Sequence, residues 1–201
     1  MTAGVLPLPV VDAAEFERTR RQAFRPDEPF SDAHGANHLL PRWFYQVDSW
    51  PTALDTRLAE HFTLAELMTV DVREAEEVRR WPRYVPLAVT LLAVHLEVLR
   101  QALGAPVHIA ANGGYRSPAH RLSDHASPHC WGTAANVYRV GDQYLDDQER
   151  IERVARAAAR VLPAIWIRPF GHERGFADDH LHLDIGYVRL TPRGHDENPC
   201  P

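Results

Sequence analysis

The stretch DDHLHLD, residues 178–184, constrains this chain more than any other, because polar and apolar side chains alternate along it with a period of two. In an extended strand alternate side chains share a face, so His180, His182 and Asp184 point one way and Leu181 and Leu183 the other. Asp179 falls on the opposite face from the histidines if the strand is regular that far. Taken alone, the pattern fits either a solvated edge strand or one half of a divalent-metal site. A metal site needs imidazoles and carboxylates converging from separate segments. A second segment is present upstream: GGYRSPAHRLSDHASPHCWGTAANVY places His120, His125 and His129 in a loop that enters a strand.

At 201 residues the chain is about the length of one domain with a single sizeable core. Its net charge is -5, and no basic stretch is dense enough to follow a phosphate backbone, so a nucleic-acid partner is not expected. The two cysteines, Cys130 and Cys200, do not make a disulfide framework; free thiols are expected, with a single bridge as the alternative. The N-terminal run MTAGVLPLPVVDAAEFER lacks a basic leader and contains two prolines. Nothing later is long enough to span a bilayer, so a cytoplasmic location is expected.

Residues 1–59 read as an N-terminal arm packed on a metal-binding domain of residues 60–201. Within the arm, Asp12 to Phe24 predicts one amphipathic helix capped by Asp12. The segment PFSDAHGANHLLPRWFYQ has turn chemistry and no clean period. Leu39, Leu40, Trp43, Phe44 and Tyr45 are too apolar to stay exposed together, which makes it an ordered cover. Thr63 and Glu66 form a capping box for a short helix. Pro86 to Leu103 is the clearest helix: Leu87, Leu91, Val94 and Val98 recur at helical spacing, and Leu92, Leu96, Leu99 and Leu103 widen the apolar face. His95 within it is expected to be structural. Strands are expected at Val107–Ala111, Thr133–Tyr138, Ala164–Ile167 and His180–Ile185, with a helix from Asp146 or Asp147 to Leu162. The class is α+β.

GYRSP followed by Ser127-x-His129-x-x-Gly132-x-Ala134 resembles the signature of the D-Ala-D-Ala carboxypeptidase and hedgehog-type zinc peptidase family. That family's pattern reads S-x-H-x-x-G-x-A-x-D, followed by a late strand with an acid three residues before a histidine. The HxH of the late strand is also similar to the murein endopeptidases. The resemblance covers roughly residues 60–187 and implies a small, mostly antiparallel sheet flanked by helices. By position it implies Zn²⁺ held by His129, residue 136 and His182. It implies that Asp179 acts as general base with His180 assisting, and that Arg116 holds the scissile carbonyl as charge develops on it. Ser127 and Tyr115 are implied as substrate contacts. Trp131 is either a pocket wall or core, and His120 and His125 are either at the pocket mouth or satisfied in their loop.

The chain departs from the pattern at Asn136, where the family has aspartate. A neutral amide oxygen is a weak ligand for zinc, which prefers Cys, His and carboxylate. Three outcomes follow: His180 or Asp184 completes the coordination, the site takes another divalent metal, or peptidase activity is lost and the pocket kept. The expected function is a metal-dependent peptidase acting on short or D-amino-acid-containing peptides of the cell-wall-fragment type. The alternatives are a non-peptidase metalloenzyme for a small-molecule reaction and a catalytically silent binding protein.

Overall fold

The computed structural model of the protein describes residues 8–172 and 176–193. The chain opens with β1 (Val10–Asp12), a 3-10 turn at Ala13–Glu15 and α1 (Arg18–Phe24). The single helix expected from Asp12 is therefore split. Phe16 turns extended, with φ -65° and ψ 151°, and its ring packs 5.4 Å from Phe24 and 4.3 Å from Tyr84. Asp12 still caps the first turn, accepting from the Ala14 amide at 2.9 Å. A hairpin of β2 (Pro29–Ser31) and β3 (Asn37–Leu39) follows, then β4 (Trp43–Val47) and α2 (Trp50–Asp55). Next come α3 (Leu64–Met68), α4 (Glu76–Arg79), β5 (Arg83–Pro86) and α5 (Val89–Leu103). The last elements are β6 (Val107–Ile109), β7 (Ala134–Val140), β8 (Gln143–Tyr144), α6 (Gln148–Val161), β9 (Trp166–Ile167) and β10 (Leu181–Asp184).

Caps explain several boundaries. The Thr63 amide donates to Glu66 at 2.7 Å, one arm of the capping box expected for α3. Asp147, not Asp146, accepts from the Arg150 amide at 2.8 Å and starts α6. Gly104, at φ 61°, ends α5 in the left-handed region that glycine takes without strain.

The fold is α+β with small antiparallel sheets. One sheet has the order β1-β4-β5, the other β6-β7-β10-β9 with β8 paired to β7, and β2-β3 stands apart as a hairpin. A small cluster around Trp131 seats the hairpin through Phe30, and one main apolar core joins the two larger sheets. It combines Phe24, Phe44 and Val47 from the first fifty residues with Leu64, Leu67, Leu92, Leu96, Leu181 and Leu183. The arm is thus built into the core that carries the later motifs, with Phe44 buried and Trp43 and Tyr45 half-buried.

Two expectations for α5 change. Pro86 belongs to β5, where it pairs with Phe44, so the helix begins at Val89 instead. Its buried face is Val89, Leu92, Ala93, Leu96 and Leu99, whereas Leu91, Val94 and Val98 are exposed. The helix is apolar around most of its circumference, so periodicity does not choose the face; the sheet position does. His95 Nδ1 contacts the Leu91 carbonyl, 2.7 Å away, a local contact on the exposed side.

Cys130 is a buried free thiol whose pKa burial pushes up to about 11. Cys200 lies outside the described residues. Among the described residues no helix is long and apolar enough to cross a membrane.

Candidate functional site

The site begins with two glycines. A Cβ on Gly113 would sit 2.7 Å from the Ala110 carbonyl, and one on Gly114 would drive into the Leu67 carbonyl. Without side chains the backbone threads this gap, donating from Tyr115 to Leu67 at 2.7 Å and accepting from Asn136 at Gly113, also 2.7 Å. That path aims the Gly114 carbonyl at His129 Nδ1, 2.8 Å away. His129 stands on a 3-10 turn (Pro128–Trp131) closed by Gly132 at φ 69°, and it is 1% exposed. Burial, then the Arg116 charge, hold its pKa well below the usual histidine value. It is therefore neutral, donates from Nδ1 and keeps a lone pair on Nε2.

His182 arrives from β10, directly opposite Asn136 of β7 in the antiparallel register. Its Nε2 lies 3.1 Å from Asp184 Oδ2 and its Nδ1 lies 2.9 Å from Asn136 Oδ1. Burial lowers its pKa too, so it carries one proton. The Asp184 carboxylate can only accept and takes that proton on Nε2, which leaves the Nδ1 lone pair facing Asn136. A lone pair and an amide oxygen repel at this distance. Asn136 meets His182 either by presenting its NH₂ group or with a cation between them. Asp184 Oδ1 is itself held by the Gly186 amide at 2.9 Å.

The rings of His129 and His182 are 5.1 Å apart between centres. Two imidazoles on one tetrahedral zinc, at about 2.0–2.1 Å per nitrogen, have centres about 5.2 Å apart. The outer-nitrogen partners, a carbonyl and a carboxylate, are the kind that orient metal-binding imidazoles.

Beside His182 opens a cavity of about 280 Å³ lined by Ser127, Trp166, Arg168, His182 and Asp184 from the domain and by Asp32 and His34 from the turn of the β2-β3 hairpin. The arm is one wall of the pocket. It is held there by the Ala126 amide donating to Ser31 at 2.8 Å, by His38 stacked 3.6 Å from Tyr187, and by Trp131 Nε1 donating to Leu39 at 2.9 Å.

Of the other expected residues, Ser127 lines this cavity. Tyr115 does not: it packs in the core near Phe44, because the threaded loop turns its ring inward. Trp131 is fully buried and is core rather than pocket wall. His120 is also buried, bound to Asn112 at 3.0 Å and to the Leu122 amide at 3.0 Å, and burial pulls its pKa down to about 4. His125 lines the cavity while pairing with Asp124 at 2.6 Å. Arg116 is 8% exposed, with Nε unpartnered, and burial lowers its pKa to about 10. Its loop is tied down by Glu74, which accepts from the Ser117 amide at 2.9 Å and hydroxyl at 2.6 Å. Asp179 points to solvent, its side chain 78% exposed, and contacts His180 Nδ1 at 2.5 Å. His180 Nε2 is buried without a partner.

Sequence reasoning misses Trp166, Arg168, Asp32, His34 and the buried Glu74. None belongs to the two histidine motifs; the turn signal around Gly35 is the one available pointer to the hairpin. A second group of metal-type side chains, Glu60, His61 and Glu97, has ligand atoms within 4.8 Å of one another. There Glu97 already accepts from the His61 amide at 2.9 Å and contacts His61 Nδ1 at 2.8 Å. Comparison with family models, curated proteins and solved structures finds no match to this chain.

Proposed function

We propose that this chain is a metal-dependent, peptidase-like protein of the D-Ala-D-Ala carboxypeptidase and hedgehog type, acting on short or D-amino-acid-containing peptides. One observation carries the proposal: two buried, neutral histidines from separate segments stand at the separation of a shared ion, each with its outer nitrogen engaged. His129 Nε2 and His182 Nδ1 would hold the metal, with the Asn136 amide oxygen as a weak third ligand. The two imidazoles fit zinc. Asn136 fits less well, because 2.9 Å to His182 Nδ1 is closer than ligands of a tetrahedral zinc stand, about 3.3 Å, so the amide must swing outward. When bound, the ion supplies Lewis acidity for a carbonyl and for water.

The chain's own groups have distinct tasks in this proposal. His180 Nε2, buried and without a partner, is the proton acceptor in place of Asp179, which is 78% exposed and orients His180 through Nδ1. Arg116, whose backbone N–H donates to the His129 carbonyl at 3.2 Å and whose charge helps to lower the His129 pKa, stabilises negative charge on the substrate oxygen. Ser127 contacts the substrate at the pocket edge.

The test is metal analysis of protein purified without added metal, together with Asn136→Asp. The carboxylate is expected to raise zinc affinity at least about tenfold and to increase hydrolysis of D-Ala-D-Ala-type peptides. Unchanged metal affinity would sink the placement of residue 136 at the ion. A second reading, a non-peptidase enzyme or a silent binding protein on the same pocket, is favoured by Arg116, which has no acid within ion-pair distance among the described residues and adds positive charge beside a neutral ligand set. Loss of a native activity in Asn136→Asp selects the enzyme; a site that refuses added zinc selects the binding protein.

A further inference from the structure

The charged groups around the cavity divide sharply by whether they are satisfied. Asp184 is engaged through both oxygens, with His182 and the Gly186 amide. Asp32 is engaged through both as well: the His34 and Ala36 amides donate to Oδ1 at 2.9 Å each, and His38 lies 3.0 Å from Oδ2. The acids that line the cavity are therefore committed to the protein's own donors. Arg168 is not. It lines the cavity, its Nε is buried without a partner, and among the described residues no carboxylate forms an ion pair with it, Asp184 acting on it only through space. A burial cost borne by an unpaired cation is offset when an anion docks on it.

We propose that Arg168 anchors an oxyanion-binding subsite in this cavity, taking a small ligand through a carboxylate or a phosphoryl group. The proposal rests on the cavity being the substrate pocket of the function proposed above. The backbone sets the geometry: the Arg168 amide donates to the His182 carbonyl at 3.0 Å, immediately after β9 has paired with β10. Arg168 and His182 line the same cavity, so an anion on this guanidinium shares that space with His182. Ser127 and His34 line the same cavity and can donate to the anion. Trp166, 51% exposed with its ring 5.6 Å from that of His182, offers a flat apolar face to the body of the ligand. At about 280 Å³ the space is at the small end of ligand pockets, about 300–1,000 Å³, so the ligand is a compact molecule rather than a polymer strand. A planar fork of donors on Arg168 suits a bidentate oxyanion better than a point charge would.

The experiment uses the full chain freed of metal by a chelator, so that anion binding is read independently of zinc. Sodium phosphate and sodium acetate are titrated at constant ionic strength while phenylglyoxal modification of arginines is followed by peptide mass spectrometry. At least one anion is expected to slow modification of Arg168 about fivefold or more, with the exposed Arg156 reacting at an unchanged rate. Protection by phosphate alone identifies a phosphoryl ligand, and equal protection by acetate identifies a carboxylate. Arg168→Gln is expected to weaken anion binding, read by thermal shift, at least about tenfold. The proposal is overturned if neither anion protects Arg168, or if a folded Arg168→Gln binds them as the wild type does. Protection that persists in a protein unable to bind zinc would support this subsite and count against the metal.

Discussion

Two histidine clusters in this molecule look alike in composition and differ in what their acids do. At His61, the Glu97 carboxylate accepts from the backbone amide and contacts Nδ1, and Arg100 stands 4.0 Å away, so the acid is consumed by its neighbours. At His182, the acid is on one ring nitrogen: Asp184 takes Nε2 and leaves Nδ1 directed at Asn136, with the His129 ring centre 5.1 Å from that of His182. Burial separates them as well, since the His182 side chain is 1% exposed and that of His61 is 38%. Proximity of metal-type residues therefore does not by itself show which lone pairs stay open to an ion. What matters is which lone pairs remain after the internal hydrogen bonds are made.

The comparison breaks most easily by removing the imidazoles. His182→Ala is expected to lower zinc affinity by on the order of a hundredfold or more, and His61→Ala to leave it unchanged, as equilibrium dialysis would measure. Stoichiometric zinc retained by His182→Ala and lost by His61→Ala would reverse the assignment. The acids come next. Asp184→Asn should weaken zinc by about 10–100-fold, whereas Glu97→Gln should leave zinc alone and cost about 1–3 kcal/mol in denaturant unfolding.

Acidification gives a smaller, graded effect. His129 and His182 have folded pKa values below the unfolded value of about 6.5, so the unfolded chain binds more protons beneath that pH. Their contribution to stability is complete above about pH 6.5 and declines as pH falls below it. His120 acts in the same direction down to its folded value of about 4. Urea midpoints should accordingly drop between about pH 7.5 and about pH 5, and His120→Asn should flatten the slope. A midpoint that rises on acidification would contradict the buried neutral state of these rings. The smallest effect belongs to Arg100→Gln, which removes a partner 4.0 Å from a Glu97 carboxylate that His61 already holds through both oxygens, and should change stability by no more than about 1 kcal/mol.

Much of the local structure is legible in the residues themselves. The capping box at Thr63, the stop at Gly104, the helix started at Asp147 and the period-two strand ending in Asp184 are all short-range consequences of side-chain chemistry. Alternation also places His182 and Asp184 on one face, as their 3.1 Å contact requires.

The residues alone do not determine the choices made between distant segments. Tyr115 and Trp131 are large and semi-polar, equally suited to a pocket or a core, and both go to the core because the threaded glycine loop and the arm set their directions. The buried face of α5 is undetermined by period, since apolar residues surround most of that helix, and the position of the sheet selects Leu92, Leu96 and Leu99. Arg168 and the hairpin turn at Asp32 carry no motif; they join the pocket through the β9-β10 pairing and through the seating of Ser31 on Ala126. Sequence determined which atoms are available as ligands, through residue type and local period. Tertiary structure decided which of those atoms keep a free lone pair or an unpaired charge, because that depends on partners far away in the chain.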